Sequence, residues 1–242
     1  ATMITETFAK QLLTTINQTD ANPVHLLFNQ WWNEAPEQVK ADYVDIFMND
    51  AEYRAWYEEG HYSDPLDLDD LQSLPEGTLG NTYARWIIDN DLTAQIALDY
   101  RSFHRMLEAS GQLDGMPEPM KFAVLRGFQV HDFLHVMSGY DSSGSGEIAL
   151  QAFSLAQLQF PYFGMWMSVV TAQMTFLQPN NIVGLMDAIS DGWQYGRSAG
   201  NLNVQPWESL LDQPVSDLRD RFGVVLSPLA TAQESARLAS AR

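Results

Sequence analysis

The sequence predicts an all-α protein: a multi-helix bundle with a buried apolar central helix and a metal site between two consecutive helices. Three observations predict it. Apolar residues recur at helical spacings along most of the chain, while strand-like alternation is scarce. Prolines stand where the first turn of a helix tolerates them. Two histidines lie four residues apart in HDFLH, and a loop then leads to a glutamate.

Residues 3 to 17, 24 to 33 and 36 to 58 place Leu, Val, Phe, Tyr and Trp at helical spacing, with Pro23 and Pro36 at helix starts. Trp31, Trp32, Phe47, Trp56 and Tyr57 read as core packing. The segment EEGHYSDPLDLDDLQSLPE carries seven acids, no Lys or Arg and two prolines, so it predicts a solvated connection. Its DLDD lacks the Gly turn and terminal Glu of a calcium loop. TLGNTYARWIIDNDL begins the next helix, and the helical pattern continues through ALDYRSFHRMLEAS to about residue 110. GQLDGMPEPM is a loop, with Pro117 and Pro119 suited to start the helix KFAVLRGFQVHDFLHVM, and GYDSSGSG is a second loop. No Asp, Glu, Lys or Arg occurs between Glu147 and Asp187. The core of this stretch, FPYFGMWMSVVTAQMTFL, is about long enough to span a bilayer, but Pro161, Gln173 and several hydroxyls favour a buried central helix. Residues 181 to 198 and 214 to 222 predict further helices. The chain thus divides into an N-terminal helical part (1–60), a helical metal-binding domain (61–225) that forms one fold with it, and a weakly ordered tail (226–242).

The charge balance narrows the partners. With 31 acidic against 13 basic residues, the net charge is −18. Phosphate backbones and anionic lipid surfaces are held by Lys and Arg, so nucleic acid is excluded as a charge-held ligand, and any membrane contact is apolar or made through another protein. With no cysteine, disulfides and thiolate metal sites are absent. The first twenty residues show neither a basic n-region nor an apolar h-region, which predicts no signal peptide and a cytoplasmic chain of bacterial type.

A helix through HDFLH puts His131 and His135 about 40° apart on one face, one turn from each other, with Asp132 about 100° round from His131. Phe133, Leu134, Val136 and Met137 make the helix apolar on nearly every side and imply burial. A buried carboxylate needs compensation, which a divalent cation supplies. Glu147, at the start of the next helix, is the fourth candidate ligand. Two imidazoles and two carboxylates suit zinc, with iron, manganese or magnesium as alternatives. The competing interpretation is a hydrogen-bonded core in which Asp132 partners the histidines, and the H-D-x-x-H spacing leaves both open. Gly127 lies on the same stripe one turn before His131, where a mid-helix glycine costs about 1 kcal/mol relative to alanine. Either a substrate head group or a closely packed helix explains it.

HDFLHVMSGYDSSGSGEIALQAF resembles the signature of the COQ-four family of coenzyme Q (ubiquinone) biosynthesis proteins: H-D-x-x-H, eleven residues, E, then A-L-Q-A-F. LPEGTLGNTYARWIIDNDL is similar to the family's upstream segment. DGWQYGRSAGNLNVQPWESLLDQPVSDLRDRFGV is similar to its carboxy-terminal module, including the W-E and L-R-x-x-F-G pieces. The likeness covers about residues 68 to 224. It implies an all-helical fold and a divalent ion, zinc in the family, on His131, Asp132, His135 and Glu147, with His131 and Asp132 nearest the chemistry. It further implies work on a polyprenyl hydroxybenzoate, whose ring carboxyl is removed with hydroxylation of the same carbon, and a role in organising other quinone-biosynthesis enzymes at a membrane. A homodimer and peripheral attachment to the inner face of the plasma membrane fit the same family.

For the acidic head group of such a substrate, Arg126 and Arg197 are the basic candidates beside Gly127, and Tyr140 and Asp141 border the motif. Two other functions stay open. His104, His131-Asp132 and Asp187 reproduce the ligand order of HD-type phosphohydrolases, a pattern that leaves His135 and Glu147 unexplained. A non-catalytic prenyl-lipid scaffold with a structural ion shares every motif with the enzyme.

Overall fold

The computed structural model describes residues 4–60 and 62–240. Among these the chain forms fourteen α-helices and no strand, with one isolated bridge between Thr78 and Pro214. In order they are α1 (Glu6–Asn17), α2 (Val24–Glu34), α3 (Glu37–Asn49), α4 (Ala51–Glu59), α5 (Leu68–Ser73), α6 (Leu79–Asp89), α7 (Thr93–Ile96), α8 (Tyr100–Ala109), α9 (Glu118–Ser138), α10 (Gly144–Leu158), α11 (Pro161–Leu177), α12 (Ile182–Ser198), α13 (Val215–Phe222) and α14 (Pro228–Ser240).

Capping residues decide where several of these begin. The run from 36 to 58, expected as one helix, is two, because Asp50 leaves helical geometry and its carboxylate accepts the N–H groups of Glu52 and Tyr53 at 2.9 and 3.1 Å. In the acid-rich connection Asp67 caps the short α5 by accepting from Asp70 N–H at 3.0 Å, so part of that aspartate cluster serves as a helix start. The helical pattern expected to continue from residue 79 to 110 is interrupted after α6, where Asp91 takes a φ of 57°. Residues 228–240, read from sequence as a weak helix or tail, form α14.

The chain divides into two compact units. The first comprises Ala1–His61, Arg101–Arg126 and Gln159–Val183. In it α1, α2 and α11 pack together through Phe8, Val24, Leu27 and Val169, with Tyr162, Met165 and Trp166 against them. Phe28 is fully buried and takes Trp32, Phe160 and Tyr162 edge-on at centroid distances of 5.7, 5.3 and 5.4 Å.

The expected buried central helix is corrected here. Only Pro161 and Val169 of α11 are buried, and Phe176 and Leu177 are 77% and 52% exposed. The buried helix is α10, in the second unit, with nine buried residues that include every one from Ile148 to Ser154. An uncharged sequence is compatible with one covered face or with several, and α11 packs chiefly through the stripe formed by Tyr162, Met165, Trp166 and Val169. Among the described residues no helix is long and apolar enough to cross a membrane.

The second unit comprises Tyr62–Tyr100, Gly127–Leu158 and Gly184–Arg242. Within it α12 packs closely on α10. A Cβ added at Gly192 would lie 1.9 Å from the Ala149 carbonyl oxygen, and one at Gly196 would lie 2.5 Å from that of Phe153, so two glycines four apart let the helix backbones touch. Arg219, in the L-R-x-x-F-G piece, closes the end of α9: its Nε and Nη2 donate to the carbonyls of Met137 and Val136 at 3.0 and 2.9 Å, and Nη2 pairs with Glu234 at 2.9 Å.

Phe28→Ala is expected to cost about 3–5 kcal/mol, since it removes a large ring and leaves a cavity among three others. The shift of the denaturant midpoint of the first unit measures this. A loss below about 1 kcal/mol would show that the aromatic cluster collapses freely around the gap.

Candidate metal centre

The second half of α9 and the first turn of α10 converge. His131 and His135 sit one turn apart, with their Nε2 atoms 3.1 Å from each other. Glu147 reaches both, through Oε2 to His131 Nε2 at 3.5 Å and through Oε1 to His135 Nε2 at 3.3 Å. The ligand atoms of His131, Asp132 and His135 all lie within 4.8 Å of one another, a group that can hold a metal ion.

Local chemistry fixes how these groups face. Ser143 starts α10, taking Gly146 N–H on its hydroxyl at 3.2 Å and Glu147 N–H on its carbonyl at 2.8 Å, so Glu147 projects from the first turn, where the helix dipole favours a carboxylate. A Cβ at Gly146 would fall 2.0 Å from the Asp141 carbonyl oxygen, so only glycine lets the loop fold this closely onto α10. His135 is 1% exposed, and its Nδ1 lies 2.9 Å from the Tyr140 carbonyl oxygen. A carbonyl only accepts, so Nδ1 carries the hydrogen and, in the neutral ring, Nε2 is the bare nitrogen that a metal takes. Asp132 is oriented by Trp86, whose indole N–H donates to Oδ1 at 3.2 Å. The same indole stacks on the His135 ring at 4.5 Å and 19°.

Tetrahedral ligands at bonds of about 2.0–2.1 Å stand roughly 3.3 Å apart. The three Nε2 and carboxylate separations of 3.1, 3.3 and 3.5 Å bracket that value. The donor chemistry fits a divalent ion as well: two neutral nitrogens and two carboxylates balance its charge and satisfy the intermediate character between hard and soft that zinc shares with iron. Burial presses the His131 imidazole toward neutrality, yet the hydrogen bond and charge of Glu147, with Asp132 adding to them, raise its pKa above the ordinary value. Burial pushes the Glu147 carboxyl up, and the two histidines outweigh this and hold it far below the usual carboxylate range.

The other sequence candidates fare differently. Gly127 stands one turn before His131, and a Cβ built on it meets nothing within 4 Å, so close helix packing does not explain it. Arg126 is 1% exposed and lies about 140° round α9 from His131, off the ligand stripe. Arg197 is exposed, with its guanidinium 5.8 Å from the Trp193 ring centre, and its neighbour Gly196 packs on Phe153, about 9 Å along α10 from Glu147. Tyr140 is buried and Asp141 caps the loop by accepting from Ser143 N–H at 3.1 Å. His104 pairs with Glu108 on its own helix at 3.3 Å and Asp187 is exposed, and neither joins the histidine group among the described residues. The recess beside Asp132, lined by Tyr83, Tyr100, Gln129, Phe133 and Glu208, has about 20 Å³, the room of one water, and is too small for a prenyl tail. Trp86 was not legible as a site residue. It lies within a segment resembling the family's, but its contact with Asp132 spans 46 positions and carries no local signal.

Two pH dependences follow. Metal affinity should rise with pH through the imidazole range, because binding requires both rings neutral. In the metal-free protein the His131–Glu147 pair acts with the opposite sign. The raised His131 stabilises fully below its unfolded value of about 6.5 and loses that contribution as pH climbs through the higher folded value. The depressed Glu147 stabilises above its unfolded value of about 4.3 and loses that contribution only as pH falls through its folded one. The melting-temperature advantage of metal-free wild type over Glu147→Gln should therefore shrink between about pH 6 and pH 9. An advantage that stays constant with pH would mean the pair is not charged in the folded state.

The model of the family described as coenzyme Q (ubiquinone) biosynthesis protein Coq4 matches residues 62–228. The rat ubiquinone biosynthesis protein COQ4 homolog, mitochondrial, is 29% identical over 165 residues, 67% of this chain and 56% of the rat protein. The Yarrowia lipolytica protein named ubiquinone biosynthesis protein COQ4, mitochondrial, is 29% identical over 168 residues, 69% of this chain and 58% of its own. The chain spans about half the length of the curated relatives it matches. A crystal structure of a Nostoc punctiforme protein assigned to ubiquinone biosynthesis superposes with a TM-score of 0.69 at 29% identity, covering 90% of this chain and 94% of that one. On a family match that takes in the histidine pair, Glu147 and both flanking modules, the chain belongs to the Coq4 family of coenzyme Q (ubiquinone) biosynthesis proteins.

Proposed function

We propose that this protein acts in the synthesis of ubiquinone or a related prenylquinone, where it removes the ring carboxyl of a polyprenyl hydroxybenzoate with the help of a divalent ion held by His131, Asp132, His135 and Glu147. The observation that carries this reading is the meeting of the two Nε2 atoms and the Glu147 carboxylate at 3.1 to 3.5 Å, with the hydrogen of His135 already committed to Tyr140. A bound divalent ion supplies Lewis acidity, orienting the acidic head group and stabilising negative charge that develops on it. Zinc is the favoured ion, with iron or magnesium as alternatives.

The chain's own residues perform the rest. His135 and Glu147 hold the site from α9 and α10, and His131 and Asp132 lie nearest the reacting group. Trp86 keeps one oxygen of Asp132 engaged and leaves the other for the ion. Gly127 leaves open space on the same stripe for a substrate head group, and Arg126 and Arg197 are the cations to be tested for a part in its binding. In the non-oxidative form the ring carbon that bears the carboxyl first takes up a proton, which turns the para phenol into a ring ketone; the bond from ring to carboxyl then breaks, carbon dioxide leaves, and its electron pair restores the ring with that oxygen as electron sink. The oxidative form, which places a hydroxyl on that carbon, needs dioxygen activated by the substrate or by a different metal, since zinc itself has no redox chemistry; one oxygen atom goes to the ring and the other leaves as water with two electrons from an external reductant. The prenyl tail calls for an apolar wall; of the uncharged run Ile148–Met186 considered for it, the stretch Ile148–Ser154 is spent on the core. The proposal extends to a homodimer, to other quinone-biosynthesis enzymes as partners and to peripheral attachment at the cytoplasmic face of a membrane.

Metal-loaded protein incubated with a polyprenyl hydroxybenzoate is expected to release carbon dioxide and a new ring product. Lipid bound without turnover would replace the enzyme by a prenyl-lipid scaffold. Gly127→Leu should keep metal affinity and lose substrate binding, measured by calorimetry with each ligand. Unchanged substrate affinity would remove Gly127 from the site.

A further inference from the structure

Asp191 and the glycines of the DGWQYG segment have no place in the mechanism above, yet the structure ties them to a metal ligand. After α9 ends at Ser138, Gly139 takes a φ of 82°, which turns the chain back so that the Tyr140 carbonyl meets His135 Nδ1 at 2.9 Å. In that turn Gly139 N–H donates to the His135 carbonyl at 2.9 Å, and Asp141 N–H, in the same peptide unit as the Tyr140 carbonyl, donates to Gln233 Oε1 at 3.1 Å. The Tyr140 side chain holds the residue from its other end. The Tyr140 ring is 1% exposed, lies edge-on to Phe153, and donates its phenol hydrogen to Asp191 Oδ1 at 2.6 Å.

Asp191 is in turn placed by its neighbour. Gly192 sits where any side chain would strike the Ala149 backbone, and Gly196 repeats this one turn later against Phe153. The contact sets how near α12 stands to α10, and hence how near Asp191 stands to the phenol. We infer that Asp191 and Tyr140 are positioning residues for His135: the Asp191 carboxylate anchors the Tyr140 phenol, and the anchored residue presents its carbonyl to Nδ1, leaving Nε2 bare and aimed at the ion. The inference rests on the metal site proposed above and adds to it two residues that touch no ligand.

Its test is a comparison of Tyr140→Phe, Asp191→Ala and Asp191→Asn in the full chain, with zinc and cobalt(II) as probes. Tyr140→Phe and Asp191→Ala lose the anchor and are expected to bind zinc about 10–100-fold more weakly, the range in which supporting partners of metal ligands act. Asp191→Asn keeps an oxygen that accepts the phenol hydrogen and should restore affinity to within a few-fold of wild type. A merely structural role would not move the ring tautomer. Nitrogen-15 histidine spectra of the metal-free protein should show His135 as the Nδ1–H form in wild type and Asp191→Asn, and as an average of two tautomers in Tyr140→Phe. Wild-type zinc affinity in Tyr140→Phe, or equal damage from Asn and Ala at 191, would overturn the inference while leaving the metal site standing. A wild-type chain that binds neither probe would overturn both. Should Tyr140→Phe and Asp191→Ala fail to fold, the wild-type spectrum decides: an Nε2–H tautomer at His135 refutes the arrangement, and Nδ1–H together with rescue by Asn supports it.

Discussion

The His135 ring gives its Nδ1 hydrogen to the Tyr140 carbonyl and turns Nε2 toward His131 and Glu147, and much of the second unit serves to keep it so. A ring 1% exposed to water cannot leave a polar atom unanswered without a cost of about 1–3 kcal/mol. The Gly139 turn, the loop that ends at Asp141 and the first turn of α10 together meet that demand. Trp86 covers the flat face of the same ring and gives its one hydrogen to Asp132, so a single indole serves two members of the group.

The cluster is a concentration of charge inside an apolar helix pair, and this explains its electrostatics. Without an ion, Glu147 and the histidines are each other's compensation: the carboxylate raises the His131 pKa, and the two rings hold the carboxyl low. An ion takes the place of the shared proton, so protons and metal compete for the same side chains. The two units divide the labour accordingly. The first is built from interlocking aromatic rings, whereas the second spends its close backbone contacts on bringing α9, α10 and α12 to one polar cluster.

Helix type was largely legible in the sequence, because a period of 3.6 is written in every amphipathic turn. Helix limits were less so. The break at Asp50 and the start of α5 at Asp67 depend on a single carboxylate turning back to cap two or three residues on, and in a run of acids such a residue is hard to tell from its neighbours. The burial of α11 was misjudged for a related reason. Composition reports what a helix can bury, while the number of its faces covered depends on which elements arrive to cover them.

By itself the sequence singled out the candidate ligands: a four-residue spacing puts His131 and His135 on one stripe of any helix, and the short loop to Glu147 permits a return to them. It determined too that no thiolate takes part, since the chain has no cysteine. Only the tertiary structure decided which ring nitrogen is free, that Trp86 steadies Asp132, and that Asp191 stands behind Tyr140. The last two join residues 46 and 51 positions apart, and hydrogen bonds across such separations follow from how helices cross, which no local pattern of residues records.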